Sequence, residues 1–272
     1  MKDYKKFFEA NKQLWDARVQ PHLGSKMYDM EGFRNGRSSL TEIETNTLGS
    51  VVGKDILHLQ CHFGQDSLSF SRQGAAKVVG IDISEKAITT AKVLANELGL
   101  NTQFECSNVY DIGKLGEFDI VFSTYGAIPW LPDLQQWASI INQNLKPGGL
   151  FYFCEFHPSL YVLDFDTKEM MYDYFTTEEP ITEIAEGTYA DANADIKMEE
   201  YSWNHGASEI ITPLLNEGLQ LIKFAEYDWS PYDCFPNMLN VGEGKYRIDL
   251  GIRFPHLLEM VFRKPQNTVR KA

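Results

Sequence analysis

Two histidines and a cysteine lie within five residues in the segment ILHLQCHFGQDSLSFSR, which runs from Ile56 to Arg72. Imidazole and thiolate groups are zinc ligands, and His58 and His62 have the i, i+4 spacing that puts two ligands on one helix face. The segment begins as an apolar run typical of a strand, however, in which residues four apart lie about 13 Å apart. A metal site therefore requires a turn of the chain at Cys61.

The same segment also fits a different chemistry. A buried strand that turns at Gly64 into an amphipathic helix is the layout that receives the anionic end of a nucleotide in α/β proteins. A third interpretation, in which the histidines are hydrogen-bonded core or hinge residues, is compatible with a nucleotide loop. We expect a cofactor loop with polar support, and no metal.

Short apolar runs recur along the middle of the chain and are too continuous for a sheet with one face in water. We expect five parallel central strands: Ile56–Cys61, Val78–Ile83, Thr102–Cys106, Phe118–Ser123 and Leu150–Phe156. Helices should lie between them, because amphipathic segments with capping residues separate the runs. These segments are Gln65–Arg72, 84–98, with Ser84 as N-cap and Gly99 as stop, and Leu134–Leu145 before the turn KPGG. Alternating strands and helices predict a doubly wound α/β sheet.

The flanks of this core should cover it. Residues 1–46 predict a helix around Tyr4–Val19 followed by a loop, and residues 158–203 are rich in acidic and aromatic residues without a dominant period. We interpret the first as an N-terminal cover and the second as a substrate cap. A helix over Ala207–Asn216 and strands over Leu219–Tyr227 and Leu257–Arg263 complete the core. The prediction is one domain over 1–272, with 47–157 and 204–272 forming the core.

Composition limits the partners. With 25 Lys and Arg against 38 Asp and Glu, the net charge is −13, which disfavours binding to nucleic acid or to an anionic membrane surface. The four cysteines form no CxxC pair, and Cys61, Cys106 and Cys154 fall at predicted strand ends, where they should be buried as small apolar residues. No signal peptide or long apolar run is evident. We expect a soluble cytoplasmic protein, and the oligomeric state stays open.

The strand ends carry the residues of a recognisable pattern. GIDIS closes the second predicted strand with an acidic residue, LKPGG precedes the fifth, and two further strands end the chain. This arrangement resembles the class I S-adenosylmethionine-dependent methyltransferases, strongly over Lys54–Glu155 and weakly over Glu209–Arg263. The strings LHLQCHFGQDSLSFSRQGA, STYGAIPWLPD and EFHP resemble a branch of small-molecule methyltransferases with mostly unassigned substrates. The resemblance implies a Rossmann-like seven-stranded sheet with five parallel strands and a C-terminal antiparallel hairpin.

The first motif departs from the family. His58 stands where the family has an acidic residue, Gln60 and His62 replace the first two of three alternating glycines, and only Gly64 remains. Because glycine permits positive φ and close approach of a ligand, their loss implies a displaced methionine end or a loop held by side-chain hydrogen bonds. The missing glycines also disfavour a dinucleotide fingerprint, which needs the second glycine near the pyrophosphate.

The resemblance implies the cofactor S-adenosylmethionine, the product S-adenosylhomocysteine, and a set of binding positions. Asp82 would accept the ribose hydroxyls, Asn108 and Val109 would lie beside the adenine, and Gln60 would contact the cofactor through its backbone. Tyr28 and Phe33 of the cover would close over the methionine end. The full expected cofactor set is Tyr28, Gln60, Cys61, Gly64, Gln65, Asp66, Asp82, Ile83, Asn108, Val109 and Ser123.

The activated methyl group requires an in-line nucleophile and exclusion of water, and a base helps when the acceptor carries a proton. Glu155 and His157 in EFHP and Tyr125 at the fourth strand are the candidate catalytic residues. In the alternative interpretation, Glu155 orients a loop and His157 caps a turn before Pro158. The expected function is methyl transfer to a small-molecule acceptor. A dinucleotide-dependent oxidoreductase and a non-catalytic cofactor-binding protein remain as alternatives.

Overall fold

The structure, a computed structural model, describes residues 4–266 of the chain. The helices are α1 (Lys5–Gly24), α2 (Met30–Arg34), α3 (Glu42–Leu48), α4 (Gln65–Arg72), α5 (Glu85–Glu97), α6 (Leu134–Asn144) and α7 (Ala207–Asn216). The strands are β1 (Asp55–Leu59), β2 (Lys77–Asp82), β3 (Thr102–Cys106), β4 (Phe118–Thr124), β5 (Leu145–Phe156), β6 (Ile181–Glu186), β7 (Lys197–Ser202), β8 (Gln220–Tyr227), β9 (Met238–Gly242), β10 (Lys245–Ile248) and β11 (Leu257–Arg263).

Seven strands form one sheet in the order β3-β2-β1-β4-β5-β11-β8. Strands β1 to β5 are parallel, whereas β11 runs antiparallel to both β5 and β8. The strand order reverses between β1 and β4, and ligands of open α/β sheets bind outside the carboxyl ends of the strands at such a reversal. The predicted fold class is confirmed, and the sheet places the loop after β1 beside the loop after β4.

Side chains of the central strands alternate between two apolar layers, as the strand period requires. Leu57 and Val121 face a core that contains Trp137 of α6, while Ile56 and Phe122 face a second core that contains Phe70 of α4. The helices that cover the sheet begin at residues that satisfy their first N–H groups. Ser84 accepts a hydrogen bond from the N–H of Ala87 at the start of α5, and Asp133 accepts one from Gln136 at α6. Both cores hold the sheet in place and so fix the position of the edge at which the parallel strands end.

The N-terminal cover contains more helix than the sequence predicts. Helix α1 continues five residues beyond Val19 to Gly24, and α2 and α3 replace the expected loop. Helix α3 begins with a capping box, in which the Thr41 side chain accepts from the N–H of Ile43 and Glu44 accepts from the N–H of Thr41. The prediction of a loop was wrong for residues 42–48, because the Thr-x-x-Glu pattern of a capping box begins a helix there.

The insertion after β5 also contains regular structure, which its irregular sequence did not predict. Strands β6 and β7 pair as an antiparallel ribbon, with Thr182 opposite Tyr201. Helix α1 packs along β7, where the Asn11 side chain both donates to the Tyr201 carbonyl (2.7 Å) and accepts from the Tyr201 N–H (3.0 Å). Arg18 of α1 forms an ion pair with Glu200 at 2.8 Å. The cover and the insertion are therefore in direct contact.

Two smaller differences complete the comparison with the sequence. The strands β9 and β10 form a separate two-stranded ribbon that the sequence pattern did not reveal. Cys106 is exposed, contrary to expectation, because it ends β3 at the edge of the sheet, while Cys61 and Cys154 are buried. Among the described residues, no helix is both long and apolar enough to cross a membrane.

Candidate active site

The loop between β1 and α4 keeps the backbone shape of a glycine-rich loop although two of its glycines are missing. The φ angles are 56° at Gln60, 51° at His62 and 80° at Gly64, so every second residue lies in the left-handed region. Non-glycine residues adopt this conformation only at a cost. The loop therefore alternates between left-handed and other backbone conformations, and its side chains must compensate for the cost.

The side chains of this loop make the compensating hydrogen bonds. Gln60 Nε2 donates to the carbonyl of Ala127 in the loop after β4, at 2.7 Å. His62 Nε2 and His22 Nδ1 of helix α1 are hydrogen-bonded at 2.8 Å. Of the two explanations that the sequence left open for the missing glycines, these contacts support the loop held by side chains.

His58 does not take the role of the acidic residue that it replaces. It is buried, its Nδ1 is hydrogen-bonded to Ser67 Oγ of α4 at 2.9 Å, and burial lowers its pKa to about 3. It is thus a neutral residue that ties β1 to α4. No group of three or more His, Cys, Asp or Glu side chains within residues 4–266 has the arrangement of a metal site.

Gly64 is the N-cap of α4 and lies where no side chain fits. A Cβ at this position would lie 2.5 Å from the ring of Phe104 and 3.2 Å from Ala91. Cys61 is buried in the same cluster as Phe104, and burial, with the Asp82 charge as a smaller cause, raises the pKa of its thiol. Gly64 and Cys61 shape the loop through packing.

Asp82 ends β2 beside the loop. Its Oδ2 accepts from the N–H of His62 and its Oδ1 from the N–H of Ser84, both at 2.8 Å. Burial raises the Asp82 pKa to about 6, against the lowering effect of these two hydrogen bonds. The Asp82 carboxylate and the next residue, Ile83, thus lie next to the loop, where the resemblance to methyltransferases predicts them.

The expected adenine-side residues lie after β3. The Asn108 side-chain oxygen accepts from the N–H of Tyr110 at 3.0 Å and so caps the 3-10 turn Val109–Asp111. Val109 is buried in the apolar core beside Ile112. Asn108 therefore has a local structural role in addition to any contact with a base.

The remaining expected cofactor positions surround the loop. Gln65 Nε2 donates to the carbonyl of Tyr28, at 2.9 Å. Asp66 accepts from Ser39 Oγ at 2.5 Å, and burial raises its pKa to about 6. Ser123 is fully buried at the end of β4, and its Oγ has no hydrogen-bond partner in the structure. These contacts join the cover to the first turn of α4.

Tyr28 lies at the loop, whereas Phe33 does not. The ring of Tyr28 lies 4.8 Å from that of Phe63 and 5.8 Å from that of His62, and its hydroxyl is hydrogen-bonded to that of Tyr189 in the insertion. Phe33 is fully buried in the core behind the loop, with the Arg72 guanidinium over its ring. Only Tyr28 of the two is placed to cover a ligand.

Glu155 is held by backbone amides. Its carboxylate accepts from the N–H groups of Gly126, Ala127, Ile128 and Phe156, the second and third at 2.8 and 3.1 Å. The side chain is fully buried, and burial raises its pKa while the four hydrogen bonds oppose that change. This geometry fits the loop-orienting interpretation of Glu155 and not proton transfer.

The side chains of His157 and Tyr125 are also hydrogen-bonded to neighbouring residues. His157 Nε2 lies 2.9 Å from Glu226 Oε1, and its Nδ1 is 2.7 Å from Ser159 Oγ, which is the turn-capping role. Tyr125, at φ 44°, donates a hydrogen bond from its hydroxyl to Glu44 of helix α3, and burial raises the pKa of Tyr125 far above the ordinary value. The three candidates are brought near one another along the β4 and β5 ends, but each has a structural partner.

A cluster that the sequence did not predict covers the loop. Trp15, Arg18 and His22 project from one face of α1, and Trp15 lies 5.4 Å from both His62 and Trp130, measured between ring centroids. The Arg18 guanidinium lies 5.0 Å from the Trp15 ring centroid. We call Trp15, Arg18, His22, Tyr28, His62, Trp130 and Tyr189 the cover cluster. Spacings of three and four residues along α1 were the only sequence signal for it.

Comparison with known proteins agrees with this geometry. Residues 56–149, from β1 into β5, match the family described as methyltransferase domain. Curated relatives include a ribosomal protein L11 methyltransferase of Aliivibrio salmonicida, 33% identical over 138 residues, which cover 50% of this chain and 46% of the relative. A ubiquinone biosynthesis O-methyltransferase of Coxiella burnetii is 31% identical over 105 residues, 38% of this chain and 44% of the relative. The chain thus spans about half the length of these relatives.

Solved structures show the same fold at low sequence identity. A putative S-adenosylmethionine-dependent methyltransferase from Listeria monocytogenes has a TM-score of 0.59 and 22% identity, with 82% of this chain and 95% of that one covered. The N-methyltransferase NodS from Bradyrhizobium japonicum in complex with S-adenosylhomocysteine has a TM-score of 0.52, 12% identity, and coverage of 93% and 99%. The fold of the chain is that of these methyltransferase structures, and its matched segment is similar to a methyltransferase domain. They agree with the predicted enzyme class and cofactor and do not test the narrower branch.

Proposed function

We propose that this protein transfers a methyl group from S-adenosylmethionine to a small-molecule acceptor. The observation that carries the proposal is the loop after β1, which has positive φ at Gln60, His62 and Gly64 beside the carboxylate of Asp82. Two of these three residues are not glycine, so their backbone conformation is strained. Strained backbone of this kind is concentrated at active sites and ligand-binding loops.

The residues present fit the cofactor. The buried Gln60 Oε1 at the loop has no hydrogen-bond partner, and buried polar groups in native proteins are normally hydrogen-bonded. Asp82 would hold the ribose hydroxyls, Asn108 with Val109 and Ile83 would border the base, and Gly64 would shape the loop around the cofactor. Tyr28, Cys61, Gln65, Asp66 and Ser123 would complete the cofactor region.

The cofactor supplies a methyl group that its sulfonium already activates. The chain must therefore position the acceptor in line and keep water out, which can contribute roughly 7 to 11 kcal/mol to the lowering of the barrier. The cover cluster is suited to the second task, because Trp15, Tyr28 and Trp130 put three aromatic side chains around the loop.

A groove beside the cover cluster supports a small-molecule acceptor. It has a volume of about 630 Å³ and is lined by Arg18, Tyr172, Tyr189 and residues 182–188 of the insertion. This volume lies within the range of small-molecule sites. The Coxiella relative, named as a ubiquinone biosynthesis O-methyltransferase, is in keeping with such an acceptor. We further propose one domain in which residues 158–203 form the acceptor cap, and a cytoplasmic location remains a prediction from composition.

Binding calorimetry tests the function. S-adenosylhomocysteine and S-adenosylmethionine should bind with micromolar affinity, whereas NAD and ATP should not bind. The Asp82→Ala variant should weaken binding by about 1.5 to 3 kcal/mol, the range for hydrogen bonds to a charged group. Asp166→Ala, which removes an exposed carboxylate of the insertion, is the control and should bind as the unaltered protein does. Tight NAD binding without a response to either sulfur compound would overturn the proposal.

A further inference from the structure

The hydrogen-bonded histidines of the cover cluster form an isolated pair. His22 Nδ1 and His62 Nε2 lie 2.8 Å apart, while the outer nitrogens, His22 Nε2 and His62 Nδ1, are buried and have no hydrogen-bond partner. The His22 side chain is fully buried. An unpartnered buried polar atom costs about 1 to 3 kcal/mol. Two such atoms at the ends of one pair indicate that a ligand or a reacting group completes them.

Proton counting determines what the two ends of the pair can do. Burial lowers the pKa of His22 to about 3 and the pKa of His62 well below its ordinary value, so both rings are neutral near pH 7. Each neutral imidazole has one N–H and one lone pair. The inner contact uses one N–H of one ring and one lone pair of the other. One outer nitrogen therefore carries a proton and the other a free lone pair, whichever tautomer is present.

The pair lies between the cofactor loop and the acceptor groove. On one side, the His62 N–H donates to Asp82, the expected ribose ligand. On the other, the His22 ring lies 4.7 Å from that of Tyr189, which lines the groove together with Arg18, one turn before His22 on α1. Tyr28 stacks on His22 at 5.1 Å, so the pair is shielded from water. This is the region in which the methyl donor and the acceptor would meet.

The candidate bases named from the sequence are less suited to take a proton. The Glu155 carboxylate is surrounded by four backbone N–H groups, and Tyr125 donates its hydroxyl proton to Glu44. Both nitrogens of His157 have polar partners, Glu226 and Ser159. By contrast, the pair keeps a free lone pair on one of its two outer nitrogens.

We propose that the His22–His62 pair accepts the proton of the methyl acceptor, and that the acceptor is a small molecule with a hydroxyl group. The inference rests on the proposed function. The oxygen of the acceptor forms a bond to the methyl carbon, the bond from that carbon to sulfur breaks, and its electron pair stays on sulfur. The acceptor atom becomes positively charged, and its proton moves to the free lone pair of the histidine pair, from which it passes to water after release of the products.

A weak base is sufficient for this step. Methylation converts the hydroxyl into a protonated ether, which is a strong acid, so an imidazole of lowered basicity can still receive the proton at that stage. Because the pair is neutral beforehand, it does not repel the cationic donor. General-base assistance of this kind contributes about 10² to 10⁴ in rate.

Nitrogen NMR of the histidine side chains tests the pair without an acceptor. The full chain, labelled with ¹⁵N-histidine, is measured at pH 7 alone and with S-adenosylhomocysteine, and His22→Asn and His62→Asn assign the signals. We expect the pair to remain neutral in both states, with one outer nitrogen unprotonated and not hydrogen-bonded in the complex. If S-adenosylhomocysteine protonates that nitrogen or forms a hydrogen bond to it, the pair is a cofactor ligand and the proposal is wrong. A failure of S-adenosylhomocysteine to bind at all would instead count against the proposed function.

Kinetics distinguish proton transfer from a structural role. Catechol and phenol are proton-bearing probe acceptors, whereas iodide accepts a methyl group without losing a proton. For His22→Asn, the ratio of the rate with a proton-bearing probe to the rate with iodide should fall by about 10² or more. His256→Asn, which removes a buried imidazole that bonds to the backbone of Ile248 and Phe254, is the control and should keep the ratio. An unchanged ratio in His22→Asn overturns the proposal, and if neither proton-bearing probe reacts, the NMR result alone decides.

Discussion

Replacement of Gln60 and His62 by glycine and by alanine measures the cost of the loop conformation. Both residues have φ angles near 50° and their side chains bond to neighbouring segments, Gln60 to Ala127 and His62 to His22. The two replacements at one position lose the same side-chain contact. Their difference in free energy of unfolding therefore reports the backbone alone.

The expected difference follows from two opposing contributions. A non-glycine residue in the left-handed region costs roughly 1 to 2 kcal/mol, which alanine retains and glycine removes. Glycine, however, loses more chain entropy on folding than alanine, by roughly 0.5 to 1 kcal/mol. The glycine variant should accordingly be more stable than the alanine variant by about 0.5 to 1 kcal/mol at each position.

Equilibrium unfolding in urea at pH 7 measures these values, with two variants at each position. Lys92, an exposed residue within α5, provides the control, because alanine should exceed glycine there by about 1 kcal/mol. The order of stability must therefore be opposite at the loop and in the helix. If alanine equals or exceeds glycine at both 60 and 62, the positive φ angles are not a fixed property of the loop and the reasoning fails.

Three further predictions concern the ligand and the site. The affinity for S-adenosylhomocysteine should be constant well above pH 6 and should fall by up to tenfold per pH unit below it, because protonation of Asp82, whose pKa is about 6, removes its acceptor role. Titration calorimetry from pH 5 to 8 measures this dependence, and Asp66→Asn should keep the same slope. An affinity that does not change with pH contradicts the prediction. Glu155→Gln should lower the free energy of unfolding in urea by about 1.5 to 3 kcal/mol, because the new amide N–H₂ faces backbone N–H donors. Glu226→Gln at the surface should change it by less than about 0.5 kcal/mol. If Glu155→Gln instead loses methyl transfer with unchanged stability, Glu155 acts as a catalytic base. Hydrogen exchange should show that S-adenosylhomocysteine protects residues 15–35 and 60–66 together, because His22 and His62 join them; protection of 60–66 alone would mean that the N-terminus is not a cover.

The sheet could be predicted from the sequence because its signals are local. The apolar runs of β1 to β5 and the N-cap Ser84 lie within the elements that they define, and their positions agree with the structure to within a few residues, except that β5 begins at Leu145 instead of Leu150. The positions of Asp82 and Gly64 beside the loop could be predicted because the motif fixes their distance from a strand end. Such signals need no knowledge of distant partners.

The cover cluster could not be found in this way. His22 and His62 are 40 residues apart, and Tyr28 and Tyr189 are 161 residues apart, so only the packing of α1 against the loop and the insertion brings them together. The partners of Glu155 are backbone N–H groups, which every sequence contains and no residue pattern marks. Side-chain identity alone therefore suggested a catalytic role for Glu155 that its surroundings do not favour.

The contact between Asn11 and Tyr201 also bears on self-association. The amide of Asn11 occupies both hydrogen-bonding groups of Tyr201 that face away from β6, as a neighbouring strand would. An uncovered strand edge can pair with another chain and nucleate aggregation. If helix α1 moves away to admit a ligand, it leaves this edge open, so the state that admits the ligand is also the state most exposed to aggregation, and a bound ligand that keeps α1 in place protects the protein from it.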